Sequence, residues 1–551
     1  MAKIRDGSTY LAKHLAANDY YAEKETVMGR WVGRSLGRLG LQGDIGTGDA
    51  AFEALRSNRH PSMGEQLTCR DREDRICFYD FQCSAPKSVS VMAVTLGDER
   101  LLAAHDAAVT RAFAELEAFA ATQANTVFQR VNRITGNVVA AAFRHTASRA
   151  LDPQVHTHLV TANATWDESS RSWRALTEFE MLHAIRYAGK VYQNELAASC
   201  LRLGYELDEV RDERGQVTGF EIRGVRPEVR DRFSKRRAEV EQGVAEFTAK
   251  YGRSPSVAEI HAITVATRTS KLAEITTPEV LAGQRAQLAG EEWAALQAVK
   301  GKAEGRSHGR ACEREELPRE RESLRAAIGH IYERRSVACG HEVLAEALNQ
   351  NLGHVALPRL KEVANNAGLV QLGDRSGVHG QFTTERGLRL ERWAIKLTDE
   401  SRGLFGPLAQ EGGRFGEGLS EEQRRALEAI LACPDQVQSL RGAAGVGKTT
   451  LVMALDATLR KEGKTVVYCA PTTSAADTLR QNGIAGATTV SDFLVNGAVR
   501  DADRLHGAVL VVDEAGLAAN KAGAELLRIA ERHHARVVFI GDSRQHTSVE
   551  A

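Results

Sequence analysis

Apolar positions in the first third of the chain recur at two different periods. Leu101 to Thr122 is Ala-rich with a stripe at helical spacing, whereas Arg75 to Cys83 and Asn137 to His145 alternate as strands do. VHTHLVTA (155–162) alternates in the same way, and TASRALDPQ before it has the composition of a connecting loop. This order predicts a mixed α+β domain rather than a repeated βαβ series. From about Arg226 to Gly301 the pattern becomes charged and Ala-rich, as in helices packed on a surface, and Gly301 to Arg321 has almost no apolar periodicity, which predicts a linker. In the block from Glu322 to about Asp399, HEVLAEALNQ and PRLKEVANNAG read as short helices. Leu369 to Thr383 follows as a hairpin with Gly373 and Gly377 at its turns, so the block predicts a small module of winged-helix type. A Gly-rich stretch, Gly403 to Gly418, leads into a last segment where apolar strands alternate with helices. The predicted division is therefore 1–300, a linker at 301–321, a small module at 322–410 and an α/β domain at 411–551.

Composition narrows the function classes. A chain of 551 residues implies roughly three to four domains. Lys+Arg and Asp+Glu both total 72, so no whole-chain field favours a polyanion and any nucleic-acid surface must be local. The eight cysteines are scattered without a C-x-x-C pair and the first residues contain no apolar signal core, which predicts a reduced, cytoplasmic protein. No apolar stretch approaches the roughly 18 to 20 residues a bilayer requires, so no membrane span is expected.

Against this background the histidines stand out. If the strands ending at His145 and containing His156 and His158 pair, the two-residue period puts His156 and His158 on one face and register can bring His145 beside them. Three imidazoles on rigid strands suit a divalent ion with positions left open for substrate oxygens. Imidazole alone suits several metals; a phosphodiester substrate, supplying hard oxygens, points to Mg or Mn. Asp80 interrupts the apolar and aromatic run Ile76 to Phe81, where a carboxylate needs a partner. Two roles stay open for it, orienting an imidazole or accepting a proton from a nucleophile, beside the bland one of an edge Asp facing water. Tyr10, Tyr20 and Tyr21 lie in a helical context near the N-terminus. A tyrosine hydroxyl can attack a phosphodiester and conserve its bond energy in a phosphotyrosine, but these residues equally suit packing. Lys87, Arg144, Arg149 and the run Arg230 to Arg237 are candidate phosphate contacts, although a charge run is usually a solvated face.

Residues 1 to about 240 resemble the relaxase domain of the MobF family, the conjugative relaxase-helicases. The matching pieces are DYYAE, DFQCSAPKSVS (80–90), FRHTASRALDPQVHTH (143–158), WRAL (173–176), YAGKVYQNELA (187–197) and FSKRR (233–237). The resemblance implies an antiparallel sheet with flanking helices that binds single-stranded DNA at a transfer origin, with accessory relaxosome and coupling proteins as partners. It also implies that His145, His156 and His158 bind the catalytic metal and that Asp80 activates the nucleophile. The family has two tyrosine pairs; here the first is reduced to Tyr10, followed by Leu11. The expectation is Tyr10 for the first cleavage and Tyr20 for the second, with Tyr20 as sole nucleophile the alternative. The few residues before Tyr10 predict a short first strand. Replication or transposition initiators use similar His-metal-Tyr chemistry and are a second reading. A DNA-binding ATPase whose front domain is a degenerate docking module is a third.

The last segment carries G-x-x-x-x-G-K-T (442–449) after the apolar strand pattern Val437 to Leu440 and before a helix. Backbone N–H groups of such a loop, with Gly442, Gly445 and Gly447, cradle phosphates; Lys448 reaches the outer ones, and Thr449, beside Thr450, can hold Mg²⁺. VLVVDEAG (509–516) is a buried strand ending in Asp513, for Mg²⁺, and Glu514, for the attacking water. From about Leu419 to Ala551 the chain resembles superfamily 1 DNA helicases. That resemblance implies a RecA-like domain binding ATP-Mg, with Gln423 contacting adenine, APTTSAA (470–476) contacting DNA and Gln545 sensing the γ-phosphate. The sequence stops just after GDSRQH, so the expectation is one motor lobe that binds ATP but drives translocation poorly.

Overall fold

A computed structural model of the chain describes residues 1–4, 29–45, 49–70, 72, 74–125, 130–148, 150–213, 215–266, 277–307, 318–409, 418–443, 446–498, 502–517 and 520–542. It divides into two compact units, Met1–Ala326 with Leu344–Val363, and Ala327–Val343 with Ala364–Ala551.

The first unit is built on a six-stranded sheet in the order Ala2–Ile4, Phe78–Ser84, Pro153–Ala162, Ala140–Ala147, Gly29–Val32, Asp44–Ile45. Every neighbouring pair is antiparallel. The alternation visible in the sequence now has a physical meaning. On one face Ile4, Trp31, Phe52, Phe78, Phe143 and Val160 close into a core, with the rings of Phe52 and Phe78 stacked at 4.7 Å. The other face is covered by helix Glu99–Glu117, which packs along helix Phe179–Arg202. The first of these helices starts where the Asp98 carboxylate accepts from the amide of Arg100, and its buried stripe includes Leu101, Ala104, Ala108 and Ala112.

Two boundaries differ from the expected ones for identifiable reasons. The Ala-rich helix stops at Glu117, and Ala121–Asn125 is instead a strand between Arg130–Ile134 and Leu176–Thr177. Strand pairing there overrides a helical propensity that is only a weak prior. The stretch expected to be a linker from residue 301 begins inside helix Gly290–Ser307, where Ala303 is buried and the Arg306 guanidinium donates to the carbonyl of Gly204. Helix Pro318–Arg334 resumes at its other end.

The helices predicted after residue 322 also do not form a unit of their own. Leu344–Val363 belongs with the first unit because buried Asn194 accepts from the amide of Gly353 and donates to the carbonyl of Val355. Lys361 and Tyr187 both meet the Glu115 carboxylate, at 2.6 and 2.7 Å. The predicted hairpin is present: Leu369–Leu372 pairs antiparallel with Gln381–Thr384, which pairs on its other side with Ala338–Cys339.

In the second unit a five-stranded parallel sheet runs Val437–Arg441, Arg536–Gly541, Val509–Val512, Val466–Ala470, Thr488–Thr489. All four residues of Val509–Val512 are buried, the continuous apolar run of a strand covered on both faces.

Gly353 holds the docking turn at φ +81, so near helix Phe179–Arg202 that an added Cβ would lie 2.9 Å from Cβ of Ala197. Left-handed backbone costs a side chain roughly 1–2 kcal/mol before any clash. We expect Gly353→Val to lower the first unit's unfolding temperature by about 4 °C or more in thermal denaturation followed by circular dichroism. An unchanged transition would show that this turn does not support the unit.

Candidate metal centre and phosphate loop

Register places the three histidines. In the pair Ala140–Ala147 with Pro153–Ala162, His145 stands opposite His156 and Phe143 opposite His158. Strand partners share a face, as do residues two apart, so all three imidazoles project from the face that carries Phe143. Their ring centres are 5.2 Å (His145 to His156), 5.5 Å (His145 to His158) and 5.3 Å (His156 to His158) apart.

Outer contacts set the rings. Nδ1 of His156 lies 3.0 Å from the carbonyl of Gln154, and Nδ1 of His158 lies 2.8 and 3.1 Å from the two oxygens of Asp80. Both acceptors call for Nδ1–H, which leaves the lone pair on Nε2 and makes that atom the ligand-type nitrogen. Asp80 pairs with Val160 in register and is therefore the diagonal neighbour of His158. The buried carboxylate therefore faces an imidazole rather than water.

Among the described residues no three His, Cys, Asp or Glu side chains already converge on one coordination point. The trio is nevertheless of the right size. A metal–nitrogen bond near 2.1 Å puts a ring centre about 3.2 Å from the ion, so ligands at angles of 90–110° have centres roughly 4.6–5.3 Å apart. Two of the observed separations, 5.2 and 5.3 Å, lie at the upper edge of that range, and the third, 5.5 Å, lies just beyond it. Donor set and size both fit a divalent cation.

The other candidates separate. Arg144 alternates with His145, points to the opposite face and pairs with Asp106, so it is not presented beside the imidazoles as a phosphate contact. Lys87 donates to the carbonyl of Pro153 and to Oε1 of Gln154, and burial pulls its ammonium down to about 8. In the basic run, Arg230 pairs with Glu221, Arg232 with Glu292 and Lys235 with Asp152. Tyr10, Tyr20, Tyr21, Arg149, Gly445 and Gln545 lie outside the described residues. Not foreseen from sequence were His105 and Thr157, which meet behind the histidine strands, and Asp106, which pairs there with Arg144. The available signal was a polar His105 within a buried helical stripe, where it needs partners.

In the second unit the loop after Val437–Arg441 leads into helix Lys448–Lys461, with Gly447 at φ +79. Lys448 donates to the carbonyls of Gly442 and Ala443, at 2.9 and 3.1 Å. The Gln423 amide donates to those of Val446 and Gly447, at 3.1 and 3.4 Å, so Gln423 meets the loop itself. It sits there because Ser420 and Gln423 form the capping box of helix Glu421–Ala432. Asp513 ends its strand buried, which raises its carboxyl above the ordinary value, while the Lys448 charge opposes the rise. Glu514 follows at φ +51, a left-handed conformation that is strained for a non-glycine residue. Gly516 lets this strand end approach the next: an added Cβ would lie 2.6 Å from the carbonyl of Asp542.

Two known families match parts of the chain. Residues 4–290 match the TrwC relaxase family and residues 418–551 an AAA domain. The multifunctional conjugation protein TraI of Escherichia coli is 37% identical over 247 residues, covering 42% of this chain and 13% of TraI. The conjugal transfer protein TraA of Agrobacterium fabrum is 33% identical over 181 residues, covering 32% of this chain and 16% of TraA. The matched part thus spans well under a quarter of these curated relatives. A metal-bound structure of conjugative relaxase TrwC with oriT DNA aligns with a TM-score of 0.45 at 29% identity, covering 54% of this chain and 97% of that one. TrwC with a 27-mer DNA containing the recognition hairpin and cleavage site aligns at 0.42 and 32% identity, covering 48% of this chain and 91% of that one.

Two outcomes follow from the geometry. Asp80→Asn should retain the fold but weaken Mn²⁺ binding about 10- to 100-fold in calorimetric titration, as losing an outer-shell partner does. Unchanged affinity would remove Asp80 from the centre. Lys448→Ala should weaken binding of a fluorescent ATP analogue by at least about tenfold, the worth of one charge-assisted hydrogen bond. Equal binding would show that the loop does not grip phosphate through this residue.

Proposed function

The chain belongs to the TrwC relaxase family, and from that premise we propose that its first 300 residues nick single-stranded DNA at a transfer origin and later rejoin the strand. The observation that carries this reading is the trio His145, His156 and His158 on one sheet face, with Asp80 against His158. The conjugative role, rather than that of a replication or transposition initiator, is supported by the names of the relatives, a conjugation protein and a conjugal transfer protein.

A tyrosine hydroxyl attacks the phosphorus of the scissile phosphodiester, forming a 5′-phosphotyrosyl bond as the 3′ oxygen leaves with a proton. Tyr10 is assigned to the first cleavage and Tyr20 to the later transfer, with Tyr20 as sole nucleophile the alternative. The hydroxyl, with a pKa of about 10, is a weak nucleophile at neutral pH without help. Nε2 of the three histidines would hold a divalent cation, Mg or Mn by the hardness of phosphate oxygens, which when bound supplies positive charge to the phosphate. Asp80 holds the His158 ring by its Nδ1–H, so that its Nε2 faces the centre. Gln154 does the same for His156 through a backbone carbonyl.

For the second unit we propose ATP-Mg binding in a superfamily 1 helicase lobe. Lys448 and the Gly442–Gly447 loop take the phosphates, Thr449 and Asp513 hold Mg²⁺, and Glu514 polarises water. Lys448 then exchanges the loop carbonyls it now meets for phosphate oxygens. Gln423 and Gln545 are assigned to adenine and the γ-phosphate. The three-stranded antiparallel sheet of 338–339, 381–384 and 369–372 is what supports a winged-helix-like module there. No helix among the described residues is long and apolar enough to cross a membrane.

The test uses a cognate oligonucleotide labelled 3′ of the nick. Wild type should form a covalent adduct resistant to denaturant, and peptide mapping should place it on a tyrosine. Joint replacement Tyr10→Phe, Tyr20→Phe and Tyr21→Phe should abolish the adduct. Nicking that survives all three changes would contradict the nucleophile assignment, and no adduct in wild type would favour the docking-module reading.

A further inference from the structure

Behind the histidine strands one turn of helix Glu99–Glu117 touches three adjacent strands of the sheet. Thr157, between His156 and His158, points to the back, where its Oγ1 lies 2.8 Å from Nε2 of His105. Nδ1 of His105 lies 2.8 Å from the hydroxyl of Tyr192 on helix Phe179–Arg202. The next helix residue, Asp106, pairs with Arg144, which immediately precedes His145 and stands opposite Thr157 in register. Arg30, on the strand beyond, donates to the carbonyl of Asp106 and to Oγ1 of Thr110, at 3.3 and 2.9 Å.

We propose that this turn, through His105 and Asp106, is a positioning clamp that sets the pleat and spacing of the strands bearing His145, His156 and His158. It rests on the reading of those histidines as cation ligands. A strand is pleated, so fixing the side chain at 157 from behind fixes the angle at which 156 and 158 leave the front. Arg144 does the same for His145. Apolar side chains of the same shape would pack the back face at little cost in stability, but without direction. Hydrogen bonds add direction, and a fully partnered buried network admits one arrangement where apolar contacts admit several. His105, Thr157 and Tyr192 are all buried. Burial drives the His105 imidazole down to about 3, so it serves as a neutral ring with one donor and one acceptor nitrogen between its two hydroxyl partners.

The experiment titrates the full chain with Co²⁺, following its visible absorption and affinity, with circular dichroism and thermal denaturation in parallel. His156→Ala should abolish the wild-type signal. Thr157→Val, which keeps shape and branching but removes the hydroxyl, should weaken Co²⁺ binding about tenfold, of the order known for outer-shell partners, and shift the absorption bands. Thr157→Ser should restore both. Tyr192→Phe and Asp106→Asn, which alter the clamp from the helix side, should each weaken binding in the same direction and serve where Thr157→Val does not fold. If the unfolding temperature falls in these variants while Co²⁺ affinity and spectrum stay those of wild type, the back-face network is packing alone and the clamp is overturned, with the histidine reading intact. If His156→Ala binds Co²⁺ as wild type does, the histidine reading falls and the clamp falls with it.

Discussion

The antiparallel register that seats His145 opposite His156 is the constraint on which the first unit depends. A strand has a period of two, so a slip of one residue would turn His156 and His158 to the back face and bring Thr157 forward. Three features oppose the slip. Phe143 and Val160, on the histidine face, are locked into the cluster around Phe52 and Phe78. Asp80 reaches diagonally to His158 from the neighbouring strand. On the reverse, Thr157 and Arg144 are held by helix Glu99–Glu117. One pairing thus decides both where the core closes and where chemistry can occur.

Alternation lets the same ten residues of Pro153–Ala162 serve two environments. The front offers imidazoles whose Nδ1 atoms are satisfied by a carbonyl and a carboxylate. The back buries Val155, Leu159 and two threonines. Burying hydroxyls and an imidazole costs stability unless each finds a partner, and Thr157, His105 and Tyr192 supply one another. The second unit uses a different device, a parallel sheet whose strand ends crowd together. Gly516 permits the approach of the Asp513–Glu514 turn to Asp542. Lys448 meanwhile occupies loop carbonyls in the cradle that it would share with phosphate.

Much of this was legible in the sequence because it is local. The alternation in VHTHLVTA and AAAFRH gave the strands, G-x-x-x-x-G-K-T gave the loop, and the polar intrusion of Asp80 into an aromatic run pointed to a partner. What was not legible depends on contacts far apart in the chain. By its charge Arg144 is a candidate phosphate contact, yet one residue of strand period is enough to aim it at Asp106. The segment Leu344–Val363 read as part of a separate module, but Asn194 and Glu115, more than 150 residues earlier, tie it to the first unit. The strand at Ala121–Asn125 was hidden in an Ala-rich stretch because only its pairing with Arg130–Ile134 distinguishes it from helix. The tyrosines remain a reading of sequence and family, since they lie outside the described residues.

The central claim is that three imidazoles on one sheet face converge on a single cation. An anomalous-scattering map from crystals of the full chain soaked in Mn²⁺ tests it most directly. The account predicts one strong peak in front of the sheet, within bonding distance of Nε2 of His145, His156 and His158, with Asp80 contacting His158 rather than the ion. A map with no peak at the trio, or with the ion held by Asp80 and without the histidines, would contradict it.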